Sequence, residues 1–252
     1  MQNDIQLSVI STIVFALATA TVMMFQDRGM TQLYGHVQDY PWWYLAVSYG
    51  AVLVLQDGWF YATHRLLHRP ALFPWFHQGH HRSRAPTPWT SFAFDPLEAL
   101  LQALFLVAIV LVVPLHFITL MAVLTTMTVW AIVNHLGPDH LPLGFPHHWL
   151  GRWLIGPAHH SIHHRRHGKH FGLYFTFWDR VFGSEDPAYA ASLLAPGPSP
   201  LPPPRITSHT SARPTEPPTT TSANRSRPTP TPAPDAAAVS TIRAQRVAKP
   251  AL

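Results

Sequence analysis

The chain has 252 residues, of which 47% are hydrophobic and only 12% are charged. Because that charged fraction is about half the usual value for a soluble domain, the composition favours a membrane protein. Cysteine is absent, which excludes disulfides, thiolate nucleophiles and cysteine-ligated zinc or iron–sulfur sites. The net charge of +5 comes from residues 195–252, a basic Pro/Thr/Ser-rich segment that we expect to be a disordered, solvated tail and not a nucleic-acid-binding arm.

Long apolar segments predict membrane helices. Residues 5–25 contain no charge, and the apolar run of residues 42–62 is broken mainly at Gln56 and Asp57. Residues 97–133 are too long for one crossing of a hydrocarbon core about 30 Å thick, so we expect them to fold back near residues 114–116. The sequence therefore predicts an all-α integral membrane protein with about four transmembrane helices, beginning with an anchor and loop in residues 1–44.

Most histidines lie in two polar stretches that flank the third apolar segment. Of the 18 histidines, 16 lie between His64 and His170, chiefly in residues 64–81 and 135–170. Two predicted crossings separate these stretches, so both should emerge on the same side of the membrane. Arginines accompany both stretches, joined in the second by Lys169, and the positive-inside rule places that side in the cytoplasm. We expect a cytosolic helical cap in which the two stretches meet.

The spacing of these histidines predicts a metal site. One HxxxH pair and two HxxHH triplets, with one further histidine between them, provide nine imidazoles at one membrane face: His64, His68, His77, His80, His81, His135, His160, His163 and His164. Neutral imidazole is a good ligand for iron, zinc, copper and nickel, and nine ligands exceed the need of one ion. We therefore expect two metal ions.

Three functional classes are compatible with such a site: an oxygen-dependent redox enzyme, a membrane zinc hydrolase, and a non-catalytic metal-binding or transport protein. The sequence has no HExxH motif, in which a glutamate would act as general base. Carboxylates are also scarce in the histidine-rich stretches, and the histidines lie just outside the apolar segments. This pattern favours redox iron chemistry on a lipid.

Five motifs together, "DGWFYATHRLLH", "HQGHH", "NHLGPDH", "HHSIHH" and "FWDRVFG", resemble the membrane fatty acid hydroxylase / sterol desaturase superfamily over residues 45–187. The resemblance implies a cytosol-facing pair of iron ions that uses O2 and two external electrons. The implied substrate is a lipid, such as a fatty acyl chain, a sterol or a related isoprenoid, which is hydroxylated or desaturated. A separate protein, either cytochrome b5-like or a ferredoxin with its reductase, would supply the electrons.

The resemblance also implies residue roles. The nine histidines would ligate the metals, with His140 as a weaker tenth ligand, and Asp57 and Asp139 would accept hydrogen bonds from imidazole N–H groups. Residues 178–180 would be a structural lock. The chain departs from many relatives where His170 and Phe171, in place of Asn-Tyr, precede a glycine. We further expect a docking surface for an acidic electron carrier, formed by Arg82, Arg84, Arg165 and Arg166.

Overall fold

The computed structural model describes residues 2–137, 141, 144–145 and 147–194, and these residues are mostly helical. The predicted ligand His140, the predicted Asp139 and the predicted tail lie outside the described residues. The α-helices are α1 Gln2–Asp27, α2 Trp43–Leu67, α3 Phe73–Phe76, α4 Gln78–His81, α5 Pro96–Val112, α6 Phe117–Asn134, α7 Pro157–Arg165, α8 Phe177–Val181 and α9 Pro187–Leu194. Short 3-10 helices occupy Val37–Asp39, Pro88–Thr90 and Gly151–Trp153.

The predicted fold-back of the third apolar segment is confirmed. Helix α5 ends at Val112 and α6 begins at Phe117, because Pro114 has no N–H to donate and holds the preceding residue in an extended conformation. Strand β2 (Leu115–His116) then pairs in parallel with β1 (Leu33–Tyr34). His116, the one histidine within this segment, caps α6 by accepting a hydrogen bond from the Ile118 N–H at 3.0 Å.

Two of the described helices, α1 and α6, are long and apolar enough to cross a membrane. Helix α5 is also apolar but has only 17 residues. Large apolar side chains remain exposed on the long helices, including Leu17 at 64%, Val112 at 75% and Ile118 at 62%. Exposed apolar surface of this kind needs a cover, either lipid or another protein.

The apolar core lies between α2, α5 and α6. It includes Val52 of α2, Phe105 and Val110 of α5, and Val123 of α6. Helix α5 packs mainly against α1, and α2 packs against both α5 and α6, while the C-terminal end of α6 contacts α7. The histidine-bearing C-terminal end of α2 reaches the same end of the bundle, where α3, α4 and α7 also lie, and the side-chain contacts described below join these elements there.

Candidate metal centre

The two histidine-rich stretches meet, and all nine histidines predicted from spacing fall into two groups. Five form the first group and four form the second, and within each group the ligand nitrogens lie within 4.8 Å of one another. The five-histidine group consists of His64, His68, His77, His81 and His163, and the four-histidine group consists of His80, His135, His160 and His164.

Each HxxHH triplet contributes to both groups. Its first and last histidines, four residues apart, lie on one face of a helical turn and join the same group. The middle histidine of each triplet, His80 or His163, joins the other group. Because α4 and α7 each carry histidines of both groups, a shift of either helix would move ligands of both groups.

Local sequence places these short helices. Pro157 is in the first turn of α7, where its missing N–H costs nothing, and Gly156 before it is extended. In α4, Gly79 lies against Asp95: its N–H donates to the Asp95 carboxylate at 2.7 Å. A Cβ at position 79 would collide with that carboxylate, so a larger residue there would force the Asp95 side chain to move.

The hydrogen bonds of His64 and His77 determine which ring nitrogens are free. The His64 Nδ1–H donates to the Phe171 carbonyl at 3.0 Å, and the His77 Nδ1–H donates to the Glu98 carboxylate at 2.7 Å. A neutral imidazole has a single N–H, so both Nε2 atoms present lone pairs. These two Nε2 atoms are 3.0 Å apart, and with both N–H groups on Nδ1 their lone pairs face each other. Such an arrangement is repulsive unless a cation binds both lone pairs.

The spacing also fits metal coordination. Two imidazole nitrogens about 2.1 Å from one ion and at right angles to each other would be about 3.0 Å apart. In the first group the Nε2 atoms of His81 and His163 are 3.0 Å apart, and in the second those of His135 and His160 are 3.0 Å apart. The His135 Nδ1–H donates to the Ala131 carbonyl at 2.7 Å, which again leaves its Nε2 lone pair free.

Burial keeps these histidines in the form that binds metals. It lowers the pKa of His80 to about 4 and that of His135 to about 3. Burial, together with neighbouring imidazoles, also holds the pKa values of His77 and His163 well below the ordinary value. The rings are therefore neutral at physiological pH, and a metal ion does not have to displace protons to bind.

A loop directly after α7 orients one histidine from each stretch. The His163 Nδ1–H donates to the Lys169 carbonyl at 2.8 Å, and the His64 Nδ1–H donates to the Phe171 carbonyl. Between these acceptors, His170 has a φ of 56°, a left-handed conformation that is uncommon for residues other than glycine. The left-handed backbone at His170 allows the Lys169 and Phe171 carbonyls on either side of it to face histidines of the same group.

Two buried carboxylates hold this loop through its backbone. Asp179 accepts hydrogen bonds from the N–H groups of Phe171 and Gly172 at 2.9 and 3.0 Å. Asp57 Oδ1 accepts from the N–H groups of Leu173 and Tyr174 at 3.1 and 2.7 Å. The segment 178–180, which the sequence indicated as a structural lock, thus acts on the loop whose carbonyls orient the histidines.

A family model described as fatty acid hydroxylase matches residues 49–184. The chain belongs to the fatty acid hydroxylase family. Similar curated proteins include a Delta(7)-sterol 5(6)-desaturase of Gibberella zeae, 31% identical over 184 residues that are 73% of this chain and 55% of that protein. The lathosterol oxidase of Rattus norvegicus is 32% identical over 186 residues, 73% of this chain and 60% of that protein. This family member therefore spans little more than half the length of these relatives, and no solved structure matches it significantly.

One carboxylate of the candidate metal centre was missed from the sequence. Glu98 is fully buried, and its Oε2 accepts the hydrogen bond from His77 described above. Its position as the single acid in a long apolar segment is itself a functional signal, because buried acids in such segments are costly. Asp57, in contrast, was expected to contact an imidazole, and its Oδ1 is occupied by backbone N–H groups.

Two further histidines, His167 and His170, lie near the nine but belong to neither group. The ring of His167 is 4.3 Å from that of His81 between centroids, at the exposed rim of the site. His170 is buried beside His159, with ring centroids 5.0 Å apart. The His170 Nε2 accepts a hydrogen bond from the Asp186 N–H at 3.2 Å, which fixes the loop to the start of α9.

Proposed function

We propose that this protein is a membrane-bound oxidoreductase that holds two iron ions on its nine histidines and hydroxylates or desaturates a lipid. The observation that carries the proposal is the convergence of unprotonated imidazole nitrogens into two buried groups of five and four. Hydroxylation would consume the substrate C–H bond, O2, two electrons and two protons, and yield an alcohol and water. Desaturation would break two adjacent C–H bonds, consume the same O2, electrons and protons, and yield a double bond and two waters.

The donor set fits iron used for redox chemistry. All-nitrogen ligands that leave coordination positions open suit iron that activates O2, which supplies the oxidising power to break an unactivated C–H bond. The protein's own contribution is to bind and orient: Glu98 and the Lys169 and Phe171 carbonyls fix three imidazole rings. Because Glu98 already accepts the His77 N–H, its carboxylate is poorly placed to act as the general base that a zinc hydrolase would need.

The membrane placement extends the same proposal. Helices α1, α2, α5 and α6 would cross or enter the bilayer, with residues 45–187 as the catalytic unit and the histidine end in the cytoplasm. Exposed apolar side chains on α1, α5 and α6 support this arrangement. The arginines concentrated at the histidine end support the cytoplasmic assignment.

The names of the relatives suggest the substrate class. They are described as a Delta(7)-sterol 5(6)-desaturase and a lathosterol oxidase, so their names refer to sterol oxidation. We extend a lipid substrate to this chain and take a sterol as the first candidate.

An arginine-lined cavity suggests where electrons arrive. Arg82, Arg84 and Arg165 line an open cavity of about 800 Å³ that also contacts His81 and His164, one histidine from each group. A negatively charged electron carrier, cytochrome b5-like or a ferredoxin, would be attracted to this face and would approach both groups at once.

The test is a lipid oxidation assay with the iron-loaded full chain in nanodiscs. Lathosterol is supplied with a reductant, with or without O2, and products are followed by mass spectrometry. We expect O2-dependent addition of one oxygen or loss of two hydrogens, abolished by His80→Ala. No oxidised product from the iron-loaded chain with O2 and reductant present, or a product formed equally without O2, would contradict the proposal of an O2-dependent oxidoreductase.

A further inference from the structure

An apolar cavity of about 300 Å³ lies between α1, α5 and α6. A second, inner chamber of about 30 Å³ shares three wall residues with it: Phe15, Phe92 and Met127. The larger cavity therefore adjoins the inner chamber, and its walls belong to helices whose outer faces are apolar. The hydrocarbon part of a lipid could occupy the larger cavity, whereas the inner chamber has room for about one water-sized group.

The inner chamber adjoins the four-histidine group. Phe94, one of its walls, stacks on His80 with ring centroids 5.8 Å apart and an interplanar angle of 19°. Ala131, another wall, has the carbonyl that accepts the His135 N–H. A molecule with one end in this chamber would present its nearest atoms to that group of histidines.

Two amides line this otherwise apolar chamber, Gln56 and Gln102. Both are largely buried, at 5% and 9% exposure. Gln102 Nε2 donates to the Thr63 hydroxyl at 3.2 Å, and its side-chain oxygen has no hydrogen-bond partner among the described residues. Gln56 Oε1 accepts from the Tyr174 hydroxyl at 2.8 Å, while its Nε2 contacts the sulfur of Met127, a weak acceptor, and has a second N–H to donate.

We infer that the inner chamber binds the hydroxyl group of a lipid alcohol, held between the amides of Gln56 and Gln102. A hydroxyl donates one hydrogen bond and accepts others, so it matches a free amide oxygen on one side and an amide N–H on the other. A carboxylate or phosphate would instead place negative charge against the Gln102 oxygen. Unpaired buried polar groups are costly, so the chamber discriminates against a lipid that lacks the hydroxyl.

This inference rests on the proposed function and specifies its substrate. The lipid enters with its hydroxyl end first, its apolar body remains between α1, α5 and α6, and the carbons closest to the hydroxyl lie nearest the four-histidine group. Oxidation is therefore expected within a few bonds of the carbon that carries the hydroxyl.

The test is equilibrium binding, which requires no turnover. Tritiated lathosterol, its 3-O-methyl ether and its 3-deoxy analogue are titrated against the iron-loaded full chain in nanodiscs without O2. We expect the alcohol to bind about tenfold more tightly than the deoxy analogue, the effect of one or two hydrogen bonds. The ether, which accepts but cannot donate, should lose the contribution of Gln102.

Gln102→Met keeps the length of the side chain and removes the acceptor, so the preference for the alcohol should fall to within about twofold. Leu106→Ala, in the wall of the larger cavity, is the matched control: it should weaken all three ligands alike and preserve the preference. Gln56→Met provides a second, independent loss of preference if the first variant fails to fold.

An unchanged preference in both glutamine variants would overturn the inference, as would equal binding of the three ligands to the wild-type chain or binding of none of them. These results leave the proposed function standing if the chain still binds an iron pair and oxidises another lipid in the presence of O2. Loss of the iron pair itself would instead remove the proposed function.

Discussion

Glu98 is fully buried and is hydrogen-bonded to His77, one of the ligands in the five-histidine group. Removing this bond should lower the affinity of that group for a metal ion. With a cation bound beside His77 the Glu98 carboxylate would be ionised, and a hydrogen bond of 2.7 Å to it would then be charge-assisted, worth about twice a neutral one. Glu98→Gln keeps the shape and a neutral acceptor, so about 1.5 kcal/mol should be lost, which is about a tenfold loss in affinity. Glu98→Ala removes the acceptor altogether, and its loss should approach the upper end of the range for such outer contacts, about a hundredfold.

The assay is competition of purified protein with a chelator for ferrous iron under anaerobic conditions. The matched control is Glu185→Gln, the same chemical change at a partly exposed acid that pairs with Arg180 at 3.5 Å. The control should bind iron like the wild type, whereas affinity should be lower in Glu98→Gln and lowest in Glu98→Ala. Equal affinities in all four proteins would refute the view that Glu98 orients a metal ligand.

Three further predictions concern the loop, the protonation of the histidines and the electron donor. Asp179→Asn leaves a buried loop N–H facing an amide group, so the free energy of unfolding should fall by about 1–3 kcal/mol, and an unchanged melting temperature in detergent would contradict this. For the metal-free protein, unfolded histidines take up protons near their ordinary pKa of about 6.5, whereas folded His80 and His135 stay neutral down to about 4 and about 3. Stability should therefore decrease as the pH falls from 6.5 towards 4, by up to about 1.4 kcal/mol per pH unit for each histidine, and denaturation midpoints that are equal at pH 7.5 and 5.5 would count against it. Replacing Arg82 and Arg165 by glutamine should slow turnover with a protein electron donor and spare turnover with dithionite; equal losses would rule out the docking surface.

Local sequence was sufficient for the features that depend on spacing and on proline. The fold-back before α6 follows from Pro114, and the convergence of the two histidine stretches follows from counting apolar segments between them. Spacing of four residues also explains why the outer histidines of each HxxHH triplet share a group. Spacing did not show that His80 and His163 join the opposite groups, because that depends on how α4 and α7 pack against each other.

The contacts that orient the histidines depend on tertiary structure and were not evident from the sequence. Glu98 lies 21 residues from His77, and no local pattern indicates that the start of α5 faces α4. Asp57 was recognised as unusual in an apolar helix, but its Oδ1 binds the backbone 116 residues further along the chain. Long-range hydrogen bonds of this kind are determined by helix packing, which composition and periodicity do not specify.

The most direct test of the central claim is metal stoichiometry combined with Mössbauer spectroscopy, on full-length protein purified in detergent from iron-supplemented cells. We expect two coupled iron ions per chain. Since His163 and His80 belong to different groups, His163→Ala and His80→Ala should each disrupt the pair. A chain that binds a single iron, or that binds only zinc even after anaerobic reconstitution with ferrous iron, would contradict the assignment of a two-iron oxidoreductase.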